Sequence, residues 1–195
     1  MRIIRFHNGR YSALLLPNGP LAVGDSDAVI LALPSQVAAA LLAELTLPGP
    51  GQSIMNAHFG LPHSNLPSIL RMLGGSAQWV FRRGDVVSIT VSAADTSARA
   101  GLDRDTAVAT LWCETARVLF AHGGKVPDVM PPVRLLQERA ATFDQSTVGA
   151  SRRHGTRTRW SNMVLAGDHV ATGLLATLEG AVISGERALD TWRAG

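Results

Sequence analysis

The sequence is poor in the residues that most often announce a function. In 195 residues it holds one cysteine (Cys113), one tyrosine and one lysine (Lys125), and aromatics make up 5%. A lone cysteine excludes a disulfide scaffold and a cysteine-based zinc site. So few aromatics leave little material for stacking single-stranded bases, and no nucleic-acid partner is expected. No run approaches the ~18 uninterrupted apolar residues of a membrane-spanning helix. The start, Met1-Arg2-Ile3-Ile4-Arg5-Phe6, has no apolar core followed by a small-residue cleavage site, so it does not read as a secretory signal. A cytoplasmic location is expected, with peripheral attachment to the inner face of the membrane left open. Six histidines are scattered, and none forms a tight pair at metal-ligand spacing; His58 and His63 come nearest, and no metal is expected. Gly-x-Ser-x-Gly and Ser-x-x-Lys are missing, so serine hydrolase chemistry has no support.

What is present suits a folded chain. Apolar residues are 46% and charged residues 17%, enough for a core and against disorder. The net charge is +3, and 17 of the 18 basic residues are arginine. Arg152, Arg153, Arg157 and Arg159 cluster with no acid among them. That cluster reads either as a solvated loop or as an anion or membrane-surface contact.

Two Asn-Gly pairs, Asn8-Gly9 and Asn18-Gly19, separate short apolar runs, which predicts a three-stranded meander over residues 2–24. Asp27 to Leu33 is apolar almost throughout, as in a strand buried on both faces of a parallel sheet. Ser35 is a plausible cap for a helix over 36–45, and Leu47-Pro48-Gly49-Pro50-Gly51 breaks the chain. Strands are expected over 53–60, 77–81, 86–92 and 133–142, with a short apolar turn at 69–73. Ala107, Leu111, Ala116 and Leu119 recur at helical spacing over 103–121, with Asp103 as cap and Gly123-Gly124 as stop. Cys113 reads as a small core residue of that helix, and Asp95 and Glu138 as surface or loop charges. Residues 144–160 read as a loop. Asn162 to Ala166 is a buried strand, followed by Gly167-Asp168, a small-residue loop, and a helix from about Ala176 to Trp192. Trp79 and Phe81 alternate with Val80, so their face meets either an apolar substrate or the core.

The last 35 residues carry the chemistry. A helix N-terminus presents unpaired N–H groups and a partial positive charge. Gly180, Ala181 and Gly185 let that helix lie close to a flat ligand or a strand. An aspartate at the end of a strand can accept hydrogen bonds from the hydroxyls of a sugar alcohol. A polyol-bearing ring cofactor and a plain Gly-Asp turn are the two readings.

Leu165-Ala166-Gly167-Asp168, Ala171-Thr172-Gly173-Leu174 and Ala176-Thr177-Leu178-Glu179-Gly180-Ala181-Val182-Ile183-Ser184-Gly185 together resemble the C-terminal flavin motif of the amine oxidase and phytoene desaturase superfamily. Within it the chain is most similar to the squalene-associated flavoproteins, the hydroxysqualene dehydroxylases. Asp27 to Pro34, Ile54 to Phe59, Ala77 to Phe81, Val91 to Asp95 and Arg139 to Phe143 fit the same pattern. The resemblance implies an α/β fold: part of a two-dinucleotide-binding-type FAD domain, built of β-meander, parallel strands and C-terminal helix, plus a mixed sheet and helix region for substrate. It implies boundaries at 1–50 (FAD domain), 51–145 (substrate region) and 146–195 (return to the FAD domain).

Carried over by position, Gly167 and Asp168 would hold the ribityl and pyrophosphate region of FAD. Gly173 would belong to the same cofactor site. Ala176, Thr177 and Leu178 would bring N–H groups to the flavin N1/C2=O edge, where negative charge builds on reduction. His58, Trp79 and Phe81 are the implied substrate-binding residues, and no catalytic acid or base is implied. The substrate would be an apolar isoprenoid, with hydroxysqualene reduced to squalene in hopanoid synthesis and NAD(P)H as a candidate reductant. A carotenoid-type desaturase, an amine oxidase fragment, and a non-catalytic remnant or docking module are the alternatives. His169 and Leu175 stand where the family has an aromatic and a proline. No Gly-x-Gly-x-x-Gly occurs in the sequence. The expectation is therefore a C-terminal half, with a separate chain carrying the N-terminal FAD-binding half as a candidate partner.

Overall fold

The computed structural model describes residues 2–3, 6–7, 9–62, 64–95 and 101–194. Asn8 of the first turn and His63 lie outside the described residues. The chain divides into two compact units: Met1–Gly51 with Thr142–Gly195, and Gln52–Ala141.

The first unit opens with five short strands, β1 (Arg2–Ile3), β2 (Phe6–His7), β3 (Arg10–Tyr11), β4 (Ala13–Leu16) and β5 (Gly19–Ala22). β2 and β3 pair antiparallel, and β1, β4 and β5 form a sheet in that order. Gly9 takes φ +75°, the conformation for which the Asn-Gly signal selects. Behind this meander lie β6 (Val29–Ala32) and β12 (Met163–Ala166), parallel and in register from Val29↔Met163 to Ala32↔Ala166. All four residues of β12 are buried. β6 departs from the expected two-sided burial: Val29 and Leu31 are buried, but Ile30 is 46% exposed. Asn162 joins meander to β12, since its side chain accepts from the Tyr11 N–H (2.9 Å) and donates to the Tyr11 carbonyl (2.8 Å). Such a buried amide is tolerated because both its ends are paired. The Tyr11 ring lies 5.1 Å from that of Trp160, and burial raises its phenol pKa.

Three helices complete the unit. α1 spans Ser35–Leu41, shorter than the sequence suggests, and Pro34 rather than Ser35 occupies its cap position. Proline has the extended ψ of a cap but no side-chain oxygen, so Ser35 falls inside the first turn and bonds Gln36 (3.1 Å). α3 (Thr147–Ser151) interrupts the expected 144–160 loop, and Ser146 caps it by accepting from the Gly149 N–H (3.1 Å). α4 spans Leu178–Arg193, with Gly180, Ser184 and Ala188 buried. Their four-residue spacing makes a narrow small-residue face, which lets α4 pack on β12, where Ala188 joins Val164 and Ala166.

The second unit is one antiparallel sheet and one long helix. β7 (Ile54–Gly60), β8 (Ile69–Arg71), β9 (Trp79–Arg83), β10 (Val86–Ser92) and β11 (Val133–Glu138) take the order β11-β7-β10-β9-β8. β8 replaces the expected apolar turn: its backbone pairs with β9 from Ile69↔Phe81 to Arg71↔Trp79. β11 stops at Glu138, short of the expected 142. Ala57, Phe59, Val80, Val87, Ile89 and Val91 line one face and cluster with Ala107, Leu111 and Leu119 of α2 (Arg104–Ala121). The Asp103 carboxylate accepts from the N–H groups of Asp105 and Thr106, both 3.0 Å, and caps α2 as the sequence suggests. Thr115, not Ala116, is the buried residue of its third turn, where its hydroxyl donates to the Leu111 carbonyl (2.8 Å). Cys113 is exposed, so it is not a core residue. Among the described residues, no helix is long and apolar enough to cross a membrane.

Candidate functional site

In the first unit, β6 and β12 run parallel and end together at Ala32 and Ala166. The outside of the carboxyl ends of parallel strands is where open α/β sheets bind ligands. Gly167 and Asp168 sit there. Gly167 has φ +135°, and a Cβ on it would come within 2.8 Å of the His169 ring, so both conformation and space require glycine. Its N–H is already used: the Ser184 hydroxyl of α4 accepts it at 2.7 Å and donates to the Ala181 carbonyl at 2.7 Å. Ser184 thus pins the helix to the start of the loop. The Asp168 side chain is 36% exposed, and its carboxylate accepts no hydrogen bond from the described residues; the His169 ring lies 4.0 Å away.

The loop is held from inside by Arg153. Its guanidinium donates to the carbonyls of Asp168 (3.0 Å), Val170 (2.5 Å), Leu174 (2.5 Å) and His169 (3.4 Å). It also lies 5.0 Å from the centroid of the Phe143 ring. Burial lowers its pKa, and Asp168 opposes that shift. Of the four clustered arginines, Arg152, Arg157 and Arg159 are exposed, as a solvated loop would have them, and Arg153 departs from that reading. Arg159, 62% exposed, bonds Glu44 at 3.0 Å over the Trp160 ring, Arg153 turns inward, and Arg152 and Arg157 are exposed.

His169 is fully buried, and both ring nitrogens lack a hydrogen-bond partner among the described residues. Burial is the main cause that pushes its pKa down; Asp168 raises it and Arg153 lowers it further.

The end of the loop delivers the tip of α4. Thr177 is its cap, its hydroxyl accepting the Gly180 N–H at 3.0 Å. Leu178 is the first helical residue and is 89% exposed. The N–H of Ala176 is occupied, donating to the Gln145 side-chain oxygen at 2.9 Å. The donors left over in the first turn are the N–H groups of Leu178 and Glu179. Gly173, with φ +92°, is exposed with open space around it, and half-buried Gly185 of α4 also has open space where a Cβ would stand. Of the small residues expected to let α4 approach closely, Gly180 does so: a Cβ there would lie 3.0 Å from the Leu175 carbonyl. The roles of Arg153, Ser184 and Gln145 are not legible in the sequence, because each acts on backbone groups 15 to 31 positions away.

In the second unit His58, Trp79 and Phe81 share one sheet face, opposite α2. The register aligns His58, Ser88 and Phe81 in one row and Asn56, Thr90 and Trp79 in the next. Val80, between the two aromatics, is the one that enters the core; Trp79 is 36% exposed. The aromatic rings stack at 6.3 Å, with Arg71 5.8 Å from the Trp79 centroid. Two polar pairs cross this face: His58 Nδ1 with Ser88 Oγ at 2.7 Å, and Thr90 Oγ1 donating to Asn56 Oδ1 at 2.6 Å. A separate cavity of about 400 Å³, between Leu61, Ser64, Leu119, Lys125 and Asp128, contains none of these residues. Among the described residues, no group of three or more His, Cys, Asp or Glu is placed to hold a metal ion.

The chain is similar to known proteins. The family description "flavin containing amine oxidoreductase" matches residues 3–189. The hydroxysqualene dehydroxylase of Rhodopseudomonas palustris is 36% identical over 87% of the chain and 39% of its own length. That of Zymomonas mobilis is 33% identical over 97% of the chain and 44% of its own length. The chain thus spans about two fifths of the curated relatives it matches. A crystal structure of an oxidoreductase from Methanosarcina mazei superposes with TM-score 0.63 at 12% identity, over 97% of this chain and 48% of that one. The family match runs over residues 3–189, nearly the whole length, and the chain belongs to the flavin-containing amine oxidoreductase family.

Proposed function

We propose that the chain supplies the flavin-contacting loop and the substrate-recognition sheet of an FAD-dependent oxidoreductase that reduces hydroxysqualene to squalene. The observation that carries the cofactor reading is the Asp168 carboxylate, standing without a hydrogen-bond donor among the described residues at the carboxyl end of a parallel strand. It fits the hydroxyls of a ribityl chain. The free N–H groups of Leu178 and Glu179 suit an electron-rich ring edge. The open space at Gly173 and Gly185 leaves room for a flat ring. A bound flavin would supply hydride chemistry, which no side chain can. This chain's residues would bind, orient and keep water out.

The similarity to two hydroxysqualene dehydroxylases supports the substrate. So does the outer sheet face of the second unit. Trp79 and Phe81 offer apolar area to an isoprenoid, and burial contributes about 25 cal/mol per Å². The His58–Ser88 pair gives that face one place to hydrogen-bond the single hydroxyl of the substrate. A site that pairs a hydroxyl discriminates strongly against an analogue lacking it. The pathway served, hopanoid synthesis, and the reductant, a nicotinamide cofactor, belong to the same proposal.

Deleting the coding sequence in its own host tests it. Hydroxysqualene should accumulate and squalene disappear from the lipid extract, and the gene supplied in trans should reverse both. Unchanged squalene would refute the substrate. Accumulation of a polyene precursor instead would move the chain to the desaturases.

A further inference from the structure

We propose that Arg153 is the positioning residue of the 167–175 loop: its guanidinium gathers four backbone carbonyls and so presets the backbone that meets the cofactor. The cofactor half of this inference rests on the flavin reading above. Ser184 and Gln145 hold the two ends of the loop, and His169, Val170 and Thr172 bury their side chains, but Arg153 alone bonds four of its carbonyls. The loop is rich in small residues, and its own backbone bonds are few: Val170 to Gly167 (3.2 Å), Ala171 to His154 (2.9 Å) and Thr172 to Val170 (2.8 Å). Arginine carries five N–H donors in a rigid plane. Here four bonds fan to residues 168, 169, 170 and 174, which closes the loop on itself. Because each peptide is planar and trans, fixing a carbonyl fixes the N–H on its far side. The clamp on the Leu174 carbonyl therefore turns the Leu175 N–H away from Arg153, three residues before the helix tip. The clamp on the Asp168 carbonyl sets the backbone from which the free carboxylate projects.

A lysine cannot do this, since one ammonium has no planar fork. Nor is the cation there to neutralise an acid by direct contact: every bond it makes is to a neutral carbonyl. A half-buried charge held in that way is costly unless its donors are paired, and four of the five N–H groups are used here. The result is a positive charge fixed behind a loop that would face a ring where negative charge builds.

The chain itself serves for the test. In Arg153→Met, amide hydrogen exchange across residues 167–176 should quicken at least tenfold, while β12 and the body of α4 keep their protection and show that the unit is folded. Arg153→Lys should recover only part of the protection. In Arg153→Ala, millimolar guanidinium should restore it, a rescue that loss of packing alone would not give. FAD titrated into the wild-type chain should shift the amide resonances of residues 167–178, and Arg153→Met should weaken that binding at least tenfold. Unchanged exchange in both Met and Ala variants overturns the clamp, whatever FAD does. Faster exchange with unchanged FAD affinity overturns the link to the cofactor. A wild-type chain whose resonances ignore FAD overturns the flavin reading itself, and the exchange data then stand apart from it.

Discussion

Asp168 and His169 are neighbours in opposite situations. Asp168 shows a carboxylate without a donor among the described residues, so removing it should cost the fold little. If it accepts a ribityl hydroxyl, Asp168→Ala loses one charge-assisted bond, about 1.5–3 kcal/mol. FAD affinity by titration should fall roughly ten- to a hundredfold, with the melting temperature unchanged. Equal affinity in the two proteins would return Asp168 to a plain turn. His169 is buried with its nitrogens unpaired, and its folded pKa lies below the ordinary value of about 6.5. The unfolded chain therefore binds a proton that the folded chain refuses. Stability is full above about pH 6.5 and falls as the pH drops through the window down to the folded pKa. His169→Phe removes both the titration and the unpaired nitrogens. Its melting temperature should be less sensitive to acid than the wild type's between about pH 6.5 and pH 5; a parallel pair of curves would show that another group governs the acid limb.

At the scale of elements, local chemistry was legible and distant pairing was not. The Asn-Gly turns, the Asp103 cap and the strand that ends in Gly167-Asp168 are written in adjacent residues. β8 is a strand because β9 lies beside it, and three residues of Ile69–Arg71 carry no alternation long enough to say so. The Arg153 clamp is hidden for the same reason: its partners are carbonyls, which every sequence has. α3 shows how such a hidden element matters. Gly149 is packed so tightly that a Cβ would stand 2.0 Å from the Asp144 carbonyl oxygen and 2.6 Å from its carboxyl carbon. The Asp144 carboxylate itself accepts from the Ser146 N–H at 2.9 Å, a bond that lowers its pKa. Gly149→Ala must push α3 outward, at about 1–3 kcal/mol for overpacking. Arg153 follows α3 by two residues, so the same variant should both lower the melting temperature and raise exchange in the 167–175 loop. A lower melting temperature with an undisturbed loop would show that α3 and the clamp are independent.

The whole molecule combines a cofactor-type loop with a first unit that shows apolar surface. Parallel strands are normally covered on both faces, yet Ile30 of β6 is 46% exposed. On α4, Leu178 (89%), Val182 (61%), Leu189 (36%) and Trp192 (39%) face outward at helical spacing. A contiguous stripe of this kind marks an interaction surface. The sequence contains no Gly-x-Gly-x-x-Gly, the loop that cradles a pyrophosphate on a helix N-terminus. On the proposed reading, Asp168 and the α4 tip would grip only the ribityl and ring portion of FAD, and a grip on half a ligand is weak. The purified chain should be colourless, with FAD lost on gel filtration, and should enhance the fluorescence of an apolar dye. Adding the glycine-rich segment of a curated relative should suppress the dye signal and hold FAD through the column, because the stripe and the pyrophosphate site would be completed together. A chain that emerges yellow, with one flavin per protein and no added segment, would mean that its own 195 residues hold the pyrophosphate by a route other than the glycine-rich loop.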